Sequence, residues 1–538
     1  MTGEGFVPRA FRALVCFIAL ILLASLVISW PALQDDALIH LRYADHLLHQ
    51  HMISYDGVTP SFGASSILYI SLLAVLRSIF TSPLLPRIVS SLSHVLLFAG
   101  LAWAFARTLR NAPRLAWLLA FVLLGVLAVP SSVRWLDDGM ETPLVLAITV
   151  PLAFAASRLA HSKVFSGRSV LGLAVLGFFI VLLRVELLLL LGVVSLALFA
   201  GLRSLRQSSL AAQAGLALRS FSLVFGGLVG AAAIVALTGH LLPDTALAKA
   251  FGIHYWVGTL RMSAIIFASS LAFGIVSLLL WILSLAALIL HRRGISVAVL
   301  LINSLFPVTL FLAAIRGQAV QGIRYFEWTL FFPILWNILE LRFATADSQT
   351  ETIAEPAPIQ PSAKLLSYAS YALVACLVLS LPLEAFLFTP VFRLRARSLE
   401  QFRAEHLERL QPLKVVAFDV GYIGYFTGSD LCDMAGLVNG RGPAVLPYSA
   451  RIQRCASERP DYAFLNIAQA DDLNGHYNLS HWSICSEYKL ANLRSLDVHY
   501  LVASPESTPL VCSATGVQPT PLAPLLGPPS DFSLGNSR

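Results

Sequence analysis

Two adjacent aspartates, Asp35 and Asp36, stand just after an apolar run, at the head of a segment with helical periodicity. Paired carboxylates at a membrane edge suit proton abstraction. One takes the proton from an attacking hydroxyl while its neighbour orients it or holds the nucleophile. They also suit a local task, because acidic groups in a first helical turn complement the macrodipole and cap open N–H groups. His40 and Arg42 follow within two turns. The stretch Tyr55-Asp56-Gly57-Val58-Thr59-Pro60-Ser61-Phe62-Gly63 then continues polar and turn-forming. These neighbours favour chemistry over capping alone.

Other charged residues interrupt apolar surroundings. Lys249 sits in the otherwise apolar stretch Ala246 to Phe251, as a point charge at the membrane edge or as a lysine snorkelling to headgroups. Arg324 precedes a span in Gln321-Gly322-Ile323-Arg324-Tyr325-Phe326, where an anchoring role is the alternative. Arg184 and Glu186 break a long apolar stretch, either as intramembrane functional groups or as the polar turn between two spans. Glu141 follows Asp137 and Asp138, which read as a solvated acidic loop or as part of a site. Trp135, Tyr255 and Trp256 fit an interfacial belt better than a sugar platform.

These residues need a scaffold, and composition specifies it. Of 538 residues 57% are hydrophobic and 12% charged, with mean hydropathy +0.75, far from the half-apolar, quarter-charged soluble average. Apolar runs near 65–80, 88–106, 114–130, 142–160, 169–183, 186–203, 218–238, 263–290, 295–315, 328–343 and 365–388 must be helices, because lipid offers no partner to an open amide. The expectation is a polytopic α-helical membrane protein with roughly ten to twelve transmembrane segments. The net charge of +7 and pI near 9.2 come from arginines in short loops, which argues against nucleic acid.

The run Phe11 to Trp30, behind Arg9 and Arg12, is too long for a signal-peptide core and reads as an uncleaved first span with a cytoplasmic N-terminus. The loop 31–64 is then extracytoplasmic. Within it Asp36 to His51 predicts an amphipathic helix on the membrane surface, with Leu38, Leu41, Leu47 and Leu48 on one face. Charge favours Arg107, Arg110 and Arg114 in the cytoplasm and the acidic loop of Asp137, Asp138 and Glu141 outside. Counting 65–80 as a full span contradicts that placement, so either 65–80 is not a complete crossing or the charge rule fails locally.

Residues 345–364 form a polar, Pro-rich linker, and 365–388 a last span. Beyond it, 389–538 reads as an extracytoplasmic α/β domain with strands at Val415–Phe418 and Tyr462–Leu465, a turn or helix at Gly421–Phe426, and a disordered end after Gln518. Cys432, Cys455, Cys485 and Cys512 all lie there. An even set fits an oxidising compartment, with three pairings open. Cys16 and Cys376 lie in apolar segments as inert packing. Asp419 ends a strand, where an α/β domain can place a binding crevice, although a structural turn is the simpler reading.

Motif order adds a resemblance. A first span, Asp-Asp-Ala-x-Ile-x-x-Arg-Tyr-Ala from Asp35, and a turn-rich loop into Ser65-Ser66-x-Leu68-Tyr69 resemble the GT-C class of polyprenyl-phosphate-sugar glycosyltransferases. The nearest look is to the branch with terminal arabinofuranosyltransferases. Gly139-Met140-Glu141-Thr142 is similar to that branch's Gly-Met-Glu-Thr. Leu242-Pro243-Asp244-Thr245 through Ala248-Lys249 is similar to its Leu-Pro-Asn-Thr loop, with Asp244 replacing Asn. Arg184-Val185-Glu186 stands where relatives have Arg-Pro-Glu. Asp419 to Phe426 and Asp433 to Val438 resemble its extracytoplasmic segment.

The resemblance implies a GT-C-like catalytic domain over 1–344 and inverting transfer of a sugar, such as a pentofuranose, from polyprenyl phosphate to an envelope glycan or glycolipid. The setting is a bacterial inner membrane. Polyprenyl phosphate leaves without an acid, so one base suffices: Asp35 or Asp36, with Asp36 preferred. Lys249, Arg324, His40 and Arg42 are the candidate partners of the leaving phosphate. Tyr55, Glu141, Arg184, Glu186 and Asp244 are further site candidates. A divalent cation at Asp35 and Asp36 is compatible with two vicinal carboxylates but not demanded. No metal-type Cys-x-x-Cys spacing exists among the cysteines of the tail. The competing readings are a lipid or glycan transporter, against which the lack of an internal repeat counts, and a scaffold whose tail binds a ligand.

Overall fold

The computed structural model describes residues 6–29, 33–109, 112, 114–128, 133, 136–161, 167–204, 210–251, 278–286, 289, 294–309, 327–347, 403, 406–491 and 496–526. Most of the expected linker 345–364, the expected span 365–388, Arg324, Cys376, Trp135, Tyr255 and Trp256 lie outside them. The helices used below are α1 (Phe6–Ser29), α2 (Asp35–Gln50), α3 (Ile67–Arg77), α4 (Leu85–Thr108), α5 (Arg114–Ala128), α6 (Thr142–His161), α7 (Gly167–Leu183), α8 (Leu187–Ser204), α9 (Leu210–Thr238), α10 (Asp244–Phe251), α11 (Gly294–Asn303) and α12 (Glu327–Asp347). The C-terminal region adds α13 (Val420–Thr427), α14 (Tyr448–Ser457), α15 (Ile467–Asn474) and α16 (Thr508–Thr515).

The protein is a polytopic α-helical membrane protein with a C-terminal α/β domain. Among the described residues, Leu85–Thr108, Thr142–Leu159 and Ala217–Thr238 are long and apolar enough to cross a membrane, and shorter apolar helices accompany them. The chain divides into two compact units. The first comprises Met1–Ile28, Ile88–Ala236 and Tyr255–Thr389; the second comprises Ser29–Arg87, Leu237–His254 and Pro390–Arg538.

In the first unit, glycines let helices meet backbone to backbone. A Cβ on Gly177 of α7 would strike the Leu223 carbonyl, and one on Gly226 of α9 would strike the Ala174 carbonyl. This is the small-residue packing that membrane helices use in place of a hydrophobic drive. Helices α5 and α6 pack on α12, and α8 packs on α11.

In the second unit a six-stranded sheet is built from β1 (Lys414–Ala417), β2 (Asp430–Asp433), β3 (Tyr462–Asn466), β4 (Ser483–Ala491), β5 (Leu496–Ala503) and β6 (Thr520–Pro521), in spatial order β2-β1-β3-β5-β4-β6. The first three strands are parallel and the rest antiparallel. Val416, Ala463, Leu465 and Val502 from one face of the sheet pack with Ile452 and Cys455 of α14 and Ala470 and Leu473 of α15. Helix α15 starts on a full capping box between Asn466 and Gln469.

Three expectations change. Ile67–Arg77 is an 11-residue helix, roughly 16 Å long against a ~30 Å hydrocarbon core. By length it is too short to cross, the first of the two alternatives that the sequence left open for 65–80. Helix α2 does not lie with its apolar face on a membrane surface. Leu38, Leu41, Tyr43 and Ala44 are fully buried, and the helix packs against α3 and α13. The stretch after Gln518 is ordered at its start: Thr520–Pro521 pair with β4 and Leu522 is buried in the sheet core. A proline fits there because β6 is an edge strand.

The four tail cysteines pair as Cys432–Cys455, joining β2 to α14, and Cys485–Cys512, joining β4 to α16. With loops of 23 and 27 residues, each bridge is expected to contribute roughly 3 kcal/mol by chain entropy. Peptide mapping without reductant should recover these two pairs and no other. Reduction should lower the melting temperature; an unchanged one would remove the bridges from the domain's stability.

Candidate functional site

The head of α2 has no side-chain N-cap: Gln34 is extended and makes no capping bond. Asp35, half-buried in the first turn, caps a different helix. Its Oδ2 accepts the Gly421 N–H at 2.8 Å and its Oδ1 accepts the Tyr422 N–H at 2.7 Å. Those are second- and third-position donors of α13, whose own N-cap residue Asp419 makes no side-chain capping bond. A carboxylate there meets both the open N–H groups and the positive end of the helix dipole. Close approach requires glycine: a Cβ on Gly421 would collide with the Asp35 carbonyl, and one on Gly424 with the Tyr55 hydroxyl. The Tyr55 hydroxyl donates to the Val420 carbonyl at 2.6 Å.

The turn-rich loop is bonded into the same unit. The Arg42 guanidinium lies over the Tyr55 ring, 4.7 Å from its centroid, and Arg42 Nε donates to the Tyr55 carbonyl at 2.7 Å. His40 is buried; its Nδ1 donates to the Asp36 carbonyl at 2.9 Å, and its Nε2 lies 3.3 Å from Ser65 Oγ. Tyr43 Oη lies 2.8 Å from Ser61 Oγ and accepts the Gly63 N–H. Asp244 and Phe62 clamp each other: Asp244 N–H donates to the Phe62 carbonyl at 2.7 Å, and the Phe62 N–H donates to Asp244 Oδ2 at 2.9 Å. The aspartate that replaces asparagine thus holds a loop through its carboxylate. Lys249 lies on α10, which Asp244 begins.

The motif from Asp433 to Val438 is a carboxylate-wrapped turn. Asp433 accepts the N–H groups of Ala435, Leu437 and Val438. Buried Arg451 then gathers the carbonyls of Ala435, Pro443, Ala444 and, from α10, Ala248. Gly436, at φ +73°, leaves room for that guanidinium.

Asp419 lies just past the carboxyl end of β1. Chain order reverses between β1 and β3 at this point, which is where open α/β sheets bind ligands. Its carboxylate is about half exposed and 3.8 Å from His499 Nδ1 on β5. Burial pushes the Asp35 carboxyl up to about 8, the Asp419 and Asp36 carboxylates add to the rise, and the Tyr422 and Gly421 N–H groups oppose it. Sequence reading left His499 and the two glycines unassigned. The Gly421-x-x-Gly424 spacing was the available signal.

The second unit therefore holds Asp35, Asp36, His40, Arg42, Tyr55, Asp244 and the backbone of Lys249. Glu141, Arg184 and Glu186 belong to the first unit. Arg184 does sit in the turn between α7 and α8, but it is buried, with Nε 3.0 Å from Glu141 Oε1 and 3.1 Å from Glu186 Oε1. Glu141 is fully buried, so the solvated-loop reading fails: an ion pair offsets the cost of taking that carboxylate from water. Nearby in sequence, buried Asp137 accepts from His94 Nδ1 at 3.0 Å.

Each Asp35 oxygen accepts one backbone N–H bond, which leaves each a single further lone pair. Among the described residues no group of three or more His, Cys, Asp or Glu is arranged to hold a metal ion.

Two outcomes follow from the Asp35 contact. Gly421→Ala should cost about 1–3 kcal/mol of stability, while Gly442→Ala, whose Cβ meets nothing, should cost little. Thermal unfolding of both variants checks this, and equal melting temperatures would remove the close contact. The second outcome concerns pH. The native Asp35 pKa lies above the ordinary 3.8, so the folded state keeps a proton that the unfolded chain has released. Its contribution is full below about 4 and is lost as pH rises towards 8. Asp35→Asn should flatten that part of the melting-temperature profile between pH 4 and 8. A wild-type advantage that grows with pH would contradict it.

Comparison with known proteins bears on the fold. The crystal structure of ArnT from Cupriavidus metallidurans bound to undecaprenyl phosphate superposes with a TM-score of 0.50 at 12% identity, over 93% of this chain and 99% of that one. The oligosaccharyltransferase of Archaeoglobus fulgidus, in its apo form, aligns with a TM-score of 0.47 at 10% identity, over 87% of this chain and 73% of that one. A family model described as "Domain of unknown function (DUF8728)" matches residues 393–507, most of the sheet domain. No curated protein matches the sequence. The chain has a GT-C-like membrane fold carrying a C-terminal α/β domain.

Proposed function

We propose that this protein is an inverting glycosyltransferase that moves a sugar from a polyprenyl-phosphate donor to a hydroxyl of a cell-envelope glycan or glycolipid. In this reading Asp36 is the base. The observation that carries the assignment is the commitment of Asp35: both of its oxygens hold the start of α13. It anchors the site and so fixes the head of α2, on which Asp36, the next residue, is the proposed base. The acceptor oxygen attacks the anomeric carbon and gives its proton to Asp36. The bond from that carbon to the phosphate oxygen breaks, and polyprenyl phosphate leaves with the electron pair.

The ArnT structure holds undecaprenyl phosphate, and its likeness in fold supports a lipid-phosphate donor here. Lys249 and Arg324 are the proposed partners of the leaving phosphate. Arg42 and His40 are proposed in supporting roles, because Arg42 already stacks on Tyr55 and His40 is turned into the protein. The paired cysteines of the sheet domain support an extracytoplasmic position for it, at the outer face of a bacterial inner membrane. The motif resemblance makes a pentofuranose such as arabinose the first sugar to test.

Asp36→Asn should lower transfer about 10²–10⁴-fold with membrane insertion and melting temperature retained. Asp35→Asn, which replaces one of the two oxygens that hold the start of α13, should lower activity through position and not through loss of the base. Envelope-glycan mass spectrometry in a deletion strain complemented with each variant reads this out. A sugar restored by Asp36→Asn as well as by wild type would remove Asp36 from the chemistry.

A further inference from the structure

A second concave site lies in the sheet unit, away from Asp35 and Asp36. A cleft of about 350 Å³ is lined by Asp56, Lys414, Asp430, Asn439, Arg454 and Glu458, a volume in the range of small-molecule sites. Four separate stretches of chain build it. Lys414 and Asp430 open β1 and β2 and are direct partners in the parallel register. Arg454 and Glu458 close the carboxyl end of α14 as an ion pair of 3.1 Å. Asp56 comes from the turn-rich loop, where its Oδ1 accepts from Ser54 Oγ and from the N–H groups of Val58 and Thr59. Asn439 forms a wall: its amide accepts from Asp433 N–H and donates to the Leu431 carbonyl.

The lining decides the ligand class. Three carboxylates face two cations, so a phosphate-bearing ligand gains no net attraction. The polar walls do not suit an apolar one. A neutral ligand rich in hydroxyls can donate to carboxylates and accept from Lys414 and Arg454 at the same time, because each hydroxyl is both donor and acceptor. Position adds a second argument. Lys414 starts the strand that Asp419 follows, so the cleft and the head of α13 lie at opposite ends of β1, roughly 16 Å apart at strand rise. The loop residue next to Asp56 is Tyr55, which bonds to Val420 at that other end.

We propose that this cleft is a carbohydrate subsite, holding a neutral oligosaccharide through hydroxyls remote from the reacting one. Its role as an acceptor subsite rests on the glycosyltransferase reading; its binding of carbohydrate does not.

The test uses the purified full-length protein and a set of arabinofuranosyl, mannosyl and glucosyl oligosaccharides of increasing length, with inorganic phosphate as comparison. At least one oligosaccharide series should bind more tightly with length, and phosphate should not compete. Lys414→Ala and Asp430→Asn, both at exposed positions, should weaken binding about tenfold (about 1.4 kcal/mol) and raise KM for long acceptors more than for short ones. Asp36→Asn should lose turnover and keep oligosaccharide binding. Binding lost in the cleft variants of a protein without transferase activity would sink the transferase reading and leave the subsite standing. Failure of every oligosaccharide to bind, equal binding by the cleft variants, or competition by phosphate would overturn the subsite.

Discussion

The carboxylate of Asp35 reaches 386 residues along the chain to the amide of Gly421, and the second unit is arranged around that bond. An uncapped helix start inside a protein leaves N–H groups without partners, and α13 receives an aspartate from α2 in place of a cap of its own. The contact requires backbone to touch backbone, so α13 presents glycines at 421 and 424 where any side chain would hold α2 and Tyr55 away. Once α2 is seated, its buried face, the loop tied through Tyr43, Tyr55 and Ser61, and the Phe62–Asp244 clamp follow in sequence. The Arg451 guanidinium closes the far side by collecting carbonyls from the Asp433 turn and from α10. The result is a polar loop system held by hydrogen bonds whose donors and acceptors come from widely separated stretches of chain.

That arrangement explains how, in the proposed function, a single acidic pair would serve two purposes. The same burial that makes Asp35 an effective anchor raises its proton affinity, and the like charges of Asp419 and Asp36 raise it further. A carboxylate in this position is costly to keep ionised, and its two backbone donors offset part of the cost. Asp36, one residue on, shares the electrostatic setting while standing one helical step, about 100°, around α2. Capping and chemistry, which look like alternatives for such a pair, are on this account divided between its two members.

Much of the fold was legible because membrane burial writes directly into composition. The apolar runs at 88–106, 114–130 and 169–183 became helices within a few residues of their expected bounds. The strands at 415 and 462 showed themselves as short apolar runs. The failures at α2 and Glu141 share one cause: burial by distant parts of the same chain, which periodicity cannot see. Helix α2 looks amphipathic because it faces protein, and Leu41 and Tyr43 are covered by other helices, not by lipid. Glu141 looks like a loop residue because its partner Arg184 lies 43 positions away and was read on its own; the two form one buried ion pair. Of the candidate site, Asp35 and Asp36 and the order of the motifs were visible in the sequence. It was not legible at Gly421, where the signal is the absence of a side chain, or at His499, which enters through sheet register alone.

The most direct measurement is reconstitution of the purified protein in liposomes with a polyprenyl-phosphate sugar, labelled in the sugar, and a hydroxyl-bearing acceptor glycan. The account predicts that label appears on the acceptor with inverted anomeric configuration, that free polyprenyl phosphate is released in equal amount, and that both depend on Asp36. Label that crosses the bilayer still joined to its lipid, with no polyprenyl phosphate released, would contradict it and make the protein a transporter of the lipid-linked sugar.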